Sequence, residues 1–189
     1  MSIEYFFGEH SFALLPFNEA DEALECFAYP GYLPDRWMNG ASIRFDAAPR
    51  ASWVGHFLSG RESPNAVSFC CDHPDGVHAL VIAGGIAYQV APANPADWIE
   101  LPIRPVMGGC ASASANAVAL FDYSRMLVLY ADGDSWTSAA VSWDGLKNVR
   151  ERNGVLFGDG WDAAENEPAP FEVDLRTRRT LGGAAPPSR

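Results

Sequence analysis

Lysine is nearly absent from this chain: Lys147 is the single one among 189 residues. The first 146 residues carry 6 arginines against 17 aspartates and glutamates, so the whole formal charge of −11 falls there. The last 43 residues balance, with 7 side chains of each sign. Such an acidic chain repels phosphate backbones and anionic lipid surfaces, which argues against nucleic-acid and membrane partners. It attracts basic partners and speeds encounter with them at low salt.

Other absences narrow the reading further. No apolar stretch approaches the length of a membrane span. Glu4 and Glu9 interrupt the first apolar run, so no secretory leader is expected, and there is no N-x-S/T sequon. Cys26, Cys70, Cys71 and Cys110 match no disulfide framework. Together these features point to a reducing, cytoplasmic compartment with buried thiols. G-x-S-x-G, a P-loop and G-x-G-x-x-G are all missing, so no catalytic residue and no cofactor is assigned. Cys110 follows Gly108-Gly109, but no histidine can be placed beside it, and it is read as a structural thiol.

What is present is turn chemistry. Asp75-Gly76, Gly84-Gly85, Asp132-Gly133, Asp144-Gly145, Asn153-Gly154 and Asp159-Gly160 each sit beside apolar or alternating runs. Such pairs supply the positive φ of tight hairpins. Between them, Val77–Ala83 and Met126–Tyr130 read as strands covered on both faces. Trp98–Val106 reads as an edge strand, because Pro102 and Pro105 cannot donate to a ladder. Phe171–Leu175 alternates and should be half exposed. Ile3–Phe7 and Phe12–Phe17 are expected to pair as a hairpin. One helix is expected over 19–28, with Asn18 as cap and Ala20, Ala23, Leu24 and Phe27 at helical spacing. The fold class is therefore all-β and mainly antiparallel, a single domain over 1–181 with one short N-terminal helix and a disordered tail over 182–189.

Asn65-Ala66-Val67 and Asn116-Ala117-Val118 each lead into an apolar strand, a turn, a second apolar strand and a third, more amphipathic one. The offset of about fifty residues suits a four-stranded propeller blade, while a β-sandwich meander is the alternative. Asp132-Gly133-Asp134-Ser135-Trp136 resembles the turn of the Asp-box of sialidase-like propellers, though it is one residue short of that pattern and lacks its second glycine. Ser142–Leu146, Phe157–Asp162 and Phe171–Leu175 resemble segments of a family of small bacterial cytosolic β-proteins with blade-like hairpins, a resemblance that implies no activity.

Two kinds of chemistry remain open. His73 and His78 should face each other across the Asp75-Gly76 hairpin with Cys71 diagonal to them, yet no second spaced pair completes a metal set, and no metal is assigned. Asp132, Asp134 and Trp136, with Asp159, Trp161 and Asp162, are the candidate binding residues. Acids beside tryptophan can grip a partner's arginine or line a sugar cleft. The expected function is a non-enzymatic acidic binding protein, of the kind that inhibits a basic protein partner as an immunity protein does. The alternative is a small-molecule or carbohydrate-binding β domain, possible as a hydrolase, with an Asp/Trp cleft.

Overall fold

A computed structural model describes residues 2–4, 11–15, 24–31, 40–46, 50–60 and 63–185. Backbone contacts divide the chain into two compact units, Met1–Val106 and Met107–Arg189. Every regular element among the described residues is a strand, and none is a helix long and apolar enough to cross a membrane.

The first unit contains β1 (Ser2–Glu4), β2 (Ser11–Leu15), β3 (Glu25–Tyr29), β4 (Gly40–Asp46), β5 (Trp53–Leu58), β6 (Phe69–Asp72), β7 (Ala79–Ala83), β8 (Ile86–Ala91) and β9 (Asn94–Glu100). They form one sheet in the order β2-β4-β5-β3 and another in the order β1-β6-β7-β8-β9. The second unit contains β10 (Gly108–Ser112), β11 (Ala117–Phe121), β12 (Met126–Tyr130), β13 (Ser135–Thr137), β14 (Lys147–Arg152), β15 (Val155–Asp162), β16 (Glu167–Asp174) and β17 (Arg179–Gly182). These make two four-stranded meanders, β10 to β13 and β14 to β17, each in sequence order. Pairing is antiparallel throughout except at β1–β6 and β3–β5, which are parallel.

The expected N-terminal helix is not seen. Residues 19–23 lie outside the described residues, and Glu25–Tyr29 is a strand paired in parallel with Trp53–Phe57. The aromatic residues here recur at a spacing of two. Phe27 meets Trp53 edge-on at 5.4 Å and Tyr29 stacks on Phe57 at 4.6 Å. This pairing outweighs the modest helix preference of Ala, Leu and Glu. The hairpin expected from Ile3 to Phe17 is also replaced: β1 joins β6 in one sheet and β2 joins β4 in the other.

Turn signals fare better. Gly76, Gly84, Gly85, Gly133, Gly145, Asn153 and Gly154 all adopt positive φ. Asp159-Gly160 is the exception, lying inside β15. β7 is wholly buried, as is β12 except for Tyr130, and β16 alternates with Phe171 and Val173 inward. The edge strand near Trp98 ends at Glu100, after which the phase breaks: Ile99 is exposed while Leu101 and Ile103 are buried. At the C-terminal end, Gly183 and Ala184 still donate to Pro170 and Val141 carbonyls, and residues 186–189 lie outside the described set. The Cys70 and Cys71 thiols are buried as expected, but Cys110 is half-buried and Cys26 exposed.

The first unit's core is aromatic, built around Trp53, Phe45, Phe57, Tyr29 and Tyr88. Tyr29 donates its hydroxyl to the Pro95 carbonyl and Tyr88 to that of Leu58, both at 2.9 Å. Burial pushes both phenols well above their ordinary value of 10.0, outweighing the opposing pull of Arg50 on Tyr29 and of Arg104 on Tyr88. The unfolded chain therefore releases these protons first. Their stabilising effect is complete below about pH 10 and is lost as pH rises beyond it. In an alkaline titration, Tyr29 and Tyr88 are expected to ionise only together with loss of the β signal in circular dichroism. Ionisation of all six tyrosines in one ordinary step, with the fold intact, would contradict this.

Candidate functional site

β15 alternates, and its alternation builds the site. Leu156 and Gly160 are buried, with Leu156 in the core. Phe157, Asp159 and Trp161 lie on the opposite, half-exposed face at the two-residue spacing of a strand. The neighbouring strand extends that face, since Phe157 pairs with Glu172, Asp159 with Pro170 and Trp161 with Pro168. Proline is tolerated at 168 and 170 because β17 pairs with β16 only from Phe171 onward.

On the other flank, β14 is irregular between Lys147 and Arg150, and Asn148 takes a left-handed φ of 54°. This bulge turns the Asn148 amide toward Asp159, to which it donates at 2.7 Å. Two hollows meet at this pair. One, of about 350 Å³, runs past Arg150, Phe157, Glu172 and Leu181. The other, of about 140 Å³, is bounded by Asp144, Lys147, Trp161 and Pro168. Asn148 and Asp159 line both. The result is a groove with an aromatic residue at each end, an amide and a carboxylate at its middle, and the chain's sole lysine on one wall.

The wall formed by Asp144-Gly145 is held by Ser142. Its buried hydroxyl donates to the Gly145 carbonyl at 2.7 Å and accepts the Trp161 N–H at 2.8 Å. The Trp143 N–H donates to the Trp161 carbonyl at 2.9 Å.

The six candidate residues divide into two groups. Asp159 and Trp161 line the groove, and Asp162 caps the β15–β16 turn by accepting the Ala164 N–H at 2.8 Å. Asp132, Asp134 and Trp136 belong to the β12–β13 hairpin. Asp134 is bridged to Arg178 at 2.5 Å, and that guanidinium lies 4.8 Å from the Tyr130 ring centre. Arg178 sits in the β16–β17 turn, beside the Asp174 rung that pairs with Val155. Val155 and Trp161 are six residues apart on β15, about 20 Å. The two groups thus occupy opposite ends of that strand. The Arg178 hydrogen bond and the Ser135 N–H hold the Asp134 carboxyl below its usual range. Asp132 accepts the Asp134 N–H at 3.0 Å, and Trp136 packs against the core that contains Val128 and Leu156.

Sequence reasoning missed Asp144, Lys147, Asn148 and Phe157. The signal for Phe157 was the two-residue alternation through Asp159 and Trp161. Asn148 carried only the tolerance of asparagine for positive φ.

A second cluster ties the two meanders of this unit. Glu151 accepts from the hydroxyls of Ser112 at 2.7 Å and Ser114 at 3.3 Å, and from the Gly154 N–H at 2.7 Å. Burial works to raise its pKa, but these donors outweigh it and hold the carboxyl below the usual range.

No protein-family model matches the chain. Among solved structures it is similar to a streptogramin B lyase, with 8% identity and a TM-score of 0.45 over 78% of this chain and 49% of that one. It is also similar to a chain in a Saccharomyces cerevisiae assembly of a Dbp5 variant bound to Nup159, a Gle1 variant, IP6 and ADP. There the identity is 14% and the TM-score 0.42, over 98% of this chain and 54% of the other. The chain spans about half the length of each of these two structures.

Proposed function

We propose that the protein is a non-enzymatic binding module for a small, neutral, polyhydroxylated ligand, held in the groove along β15. The observation that carries this reading is the placement of Phe157, Asp159 and Trp161 on one face above two hollows that meet at Asp159. Aromatic rings offer apolar platforms for the C–H faces of a sugar ring, while Asp159 and Asn148 supply an acceptor and a donor for hydroxyl groups. The architecture we favour is propeller-like, with the consecutive four-stranded meanders as blades. The thiols are consistent with a cytoplasmic setting.

Thermal-shift screening of neutral oligosaccharides, followed by calorimetry on the best ligand, tests the proposal. Trp161→Ala is expected to weaken binding by about tenfold or more, the equivalent of about 1.4 kcal/mol, with little dependence on salt. Absence of any stabilising sugar would reject it.

A basic protein partner is the second reading, favoured by the −11 charge confined to residues 1–146. It predicts association that slows steeply with salt. The Asp132–Asp134 patch is a weaker candidate for that contact, because Arg178 already neutralises Asp134.

A further inference from the structure

The β6–β7 register pairs Cys71 with Leu80 and Asp72 with Ala79, and its last rung is His73 opposite His78, whose carbonyl accepts the His73 N–H at 2.9 Å. The intervening turn folds back on itself. Asp75 Oδ1 accepts the N–H groups of Val77 at 2.9 Å and His78 at 3.0 Å. This sets the Asp75 carboxylate between two imidazoles. Oδ1 lies 3.0 Å from His73 Nδ1, and Oδ2 lies 2.7 Å from His78 Nδ1. The ligand atoms of the three residues all fall within 4.8 Å of one another. His73 is 3% exposed, and Asp75 and His78 are 15% and 18% exposed, so the cluster is sheltered.

His73 Nδ1 has two partners on Asp75, the carboxylate and the backbone N–H. His73 Nδ1 also lies 3.1 Å from the Asp75 N–H. If Nδ1 accepts that proton, its lone pair region faces a carboxylate oxygen. If Nδ1 carries its own proton, the backbone N–H loses its acceptor. A cation held by both Nδ1 and the carboxylate offsets the repulsion of the first case, at the expense of the Asp75 N–H contact.

The distances suit one. Metal bonds of about 2.0–2.1 Å in a tetrahedral site separate neighbouring N and O ligands by about 3.3 Å. The carboxylate and imidazoles need to part by about 0.3–0.6 Å, while the ligand atoms that lie as far as 4.8 Å apart need to draw together. A fourth group stands behind them: on β9, Asp97 Oδ2 lies 3.7 Å from His78 Nε2. When a histidine ligates through one nitrogen, its other N–H characteristically faces a carboxylate that fixes the tautomer and the ring.

We propose that His73, Asp75 and His78 form a binding site for a divalent transition-metal ion of the zinc type, with Asp97 as the positioning carboxylate of His78. Two imidazoles and one carboxylate select borderline ions over magnesium and calcium, which prefer oxygen-only shells. This site lies in the first unit and does not depend on the groove along β15.

The test is titration of the metal-stripped full chain with Zn²⁺ by calorimetry and with Co²⁺ by visible absorption. One equivalent is expected, with Co²⁺ ligand-field bands and no thiolate charge-transfer band. His78→Ala is expected to lose binding, and Asp97→Ala to weaken it by about tenfold or more. Both side chains reach solvent, so these variants test the site without removing the buried His73. Failure to take up Zn²⁺, uptake unchanged in His78→Ala, or a thiolate band placing the ion on a cysteine would each overturn the site. Unchanged affinity in Asp97→Ala would overturn the role given to that carboxylate.

Discussion

Trp53→Ala is expected to lower the unfolding free energy of the first unit by about 4–5 kcal/mol, near the upper end for a buried aromatic truncation. Trp53 is fully buried at the start of β5. Its ring stacks on Phe45 at 4.3 Å and 20°, and Phe27 meets it edge-on. Aromatic pairs of this kind contribute about 0.5–1.5 kcal/mol beyond the area they bury. The indole N–H donates to the Pro92 carbonyl at 2.8 Å, so alanine also leaves a buried acceptor unpaired. Single domains have only about 5–15 kcal/mol of stability, so the loss should lower the urea midpoint by about a third or more. Trp53→Phe keeps most of the packing and loses only the hydrogen bond and part of the volume, so about 1–2 kcal/mol is expected. An unfolding free energy for Trp53→Ala within about 1 kcal/mol of the parent would contradict this account of the core.

Gly160→Ala is expected to destabilise the second unit by about 2–4 kcal/mol and to deform the groove. A Cβ at this position would overlap the Val141 carbonyl oxygen and come within 3.0 Å of its carbonyl carbon. That oxygen already accepts the Ala184 N–H at 3.0 Å, so the Val141 backbone has little freedom to retreat. Displacing it also strains the Ser142–Trp161 and Trp143–Trp161 hydrogen bonds, which hold the Asp144 wall against the Trp161 platform. Urea unfolding should show the loss, and binding of a groove ligand should fall even where the variant remains folded. An unchanged midpoint would show that the 141–145 segment moves freely.

Gly160 also shows where sequence reading succeeds and fails. Asn153-Gly154 and Asp159-Gly160 look alike as dipeptides. Asn153 and Gly154 both take positive φ and turn the chain, whereas Gly160 continues a strand and serves a close backbone approach. The dipeptide cannot distinguish these uses, because the second depends on Val141, nineteen residues earlier. Strand β3 escapes a local reading for a similar reason. Its partners Trp53 and Phe57 are distant in sequence, and the local composition favoured a helix. Alternation was reliable where it was strong, as in Phe171–Leu175. At the candidate site, Asp159 and Trp161 could be found from turns, acids and aromatic residues. The bulge that brings Asn148 to them could not, since nothing in Lys147-Asn148-Val149-Arg150 announces an extra residue. The His73–His78 pairing was legible in register, but the carboxylate between the rings depends on how Asp75 folds back over its own turn.

The parallel pairing of β1 with β6 bears on how the protein avoids self-association. Ser2–Glu4 cap a strand, Phe69–Asp72, whose four side chains are all buried. Without that cap, a row of backbone donors and acceptors on an apolar strand would face outward, a ready template for another chain. The two partners lie some sixty-five residues apart in sequence, so the cap is a long-range contact that cannot seat until β6 has been made. Removing Ser2–Glu4 is therefore expected to expose the outer edge of β6 to edge-to-edge pairing.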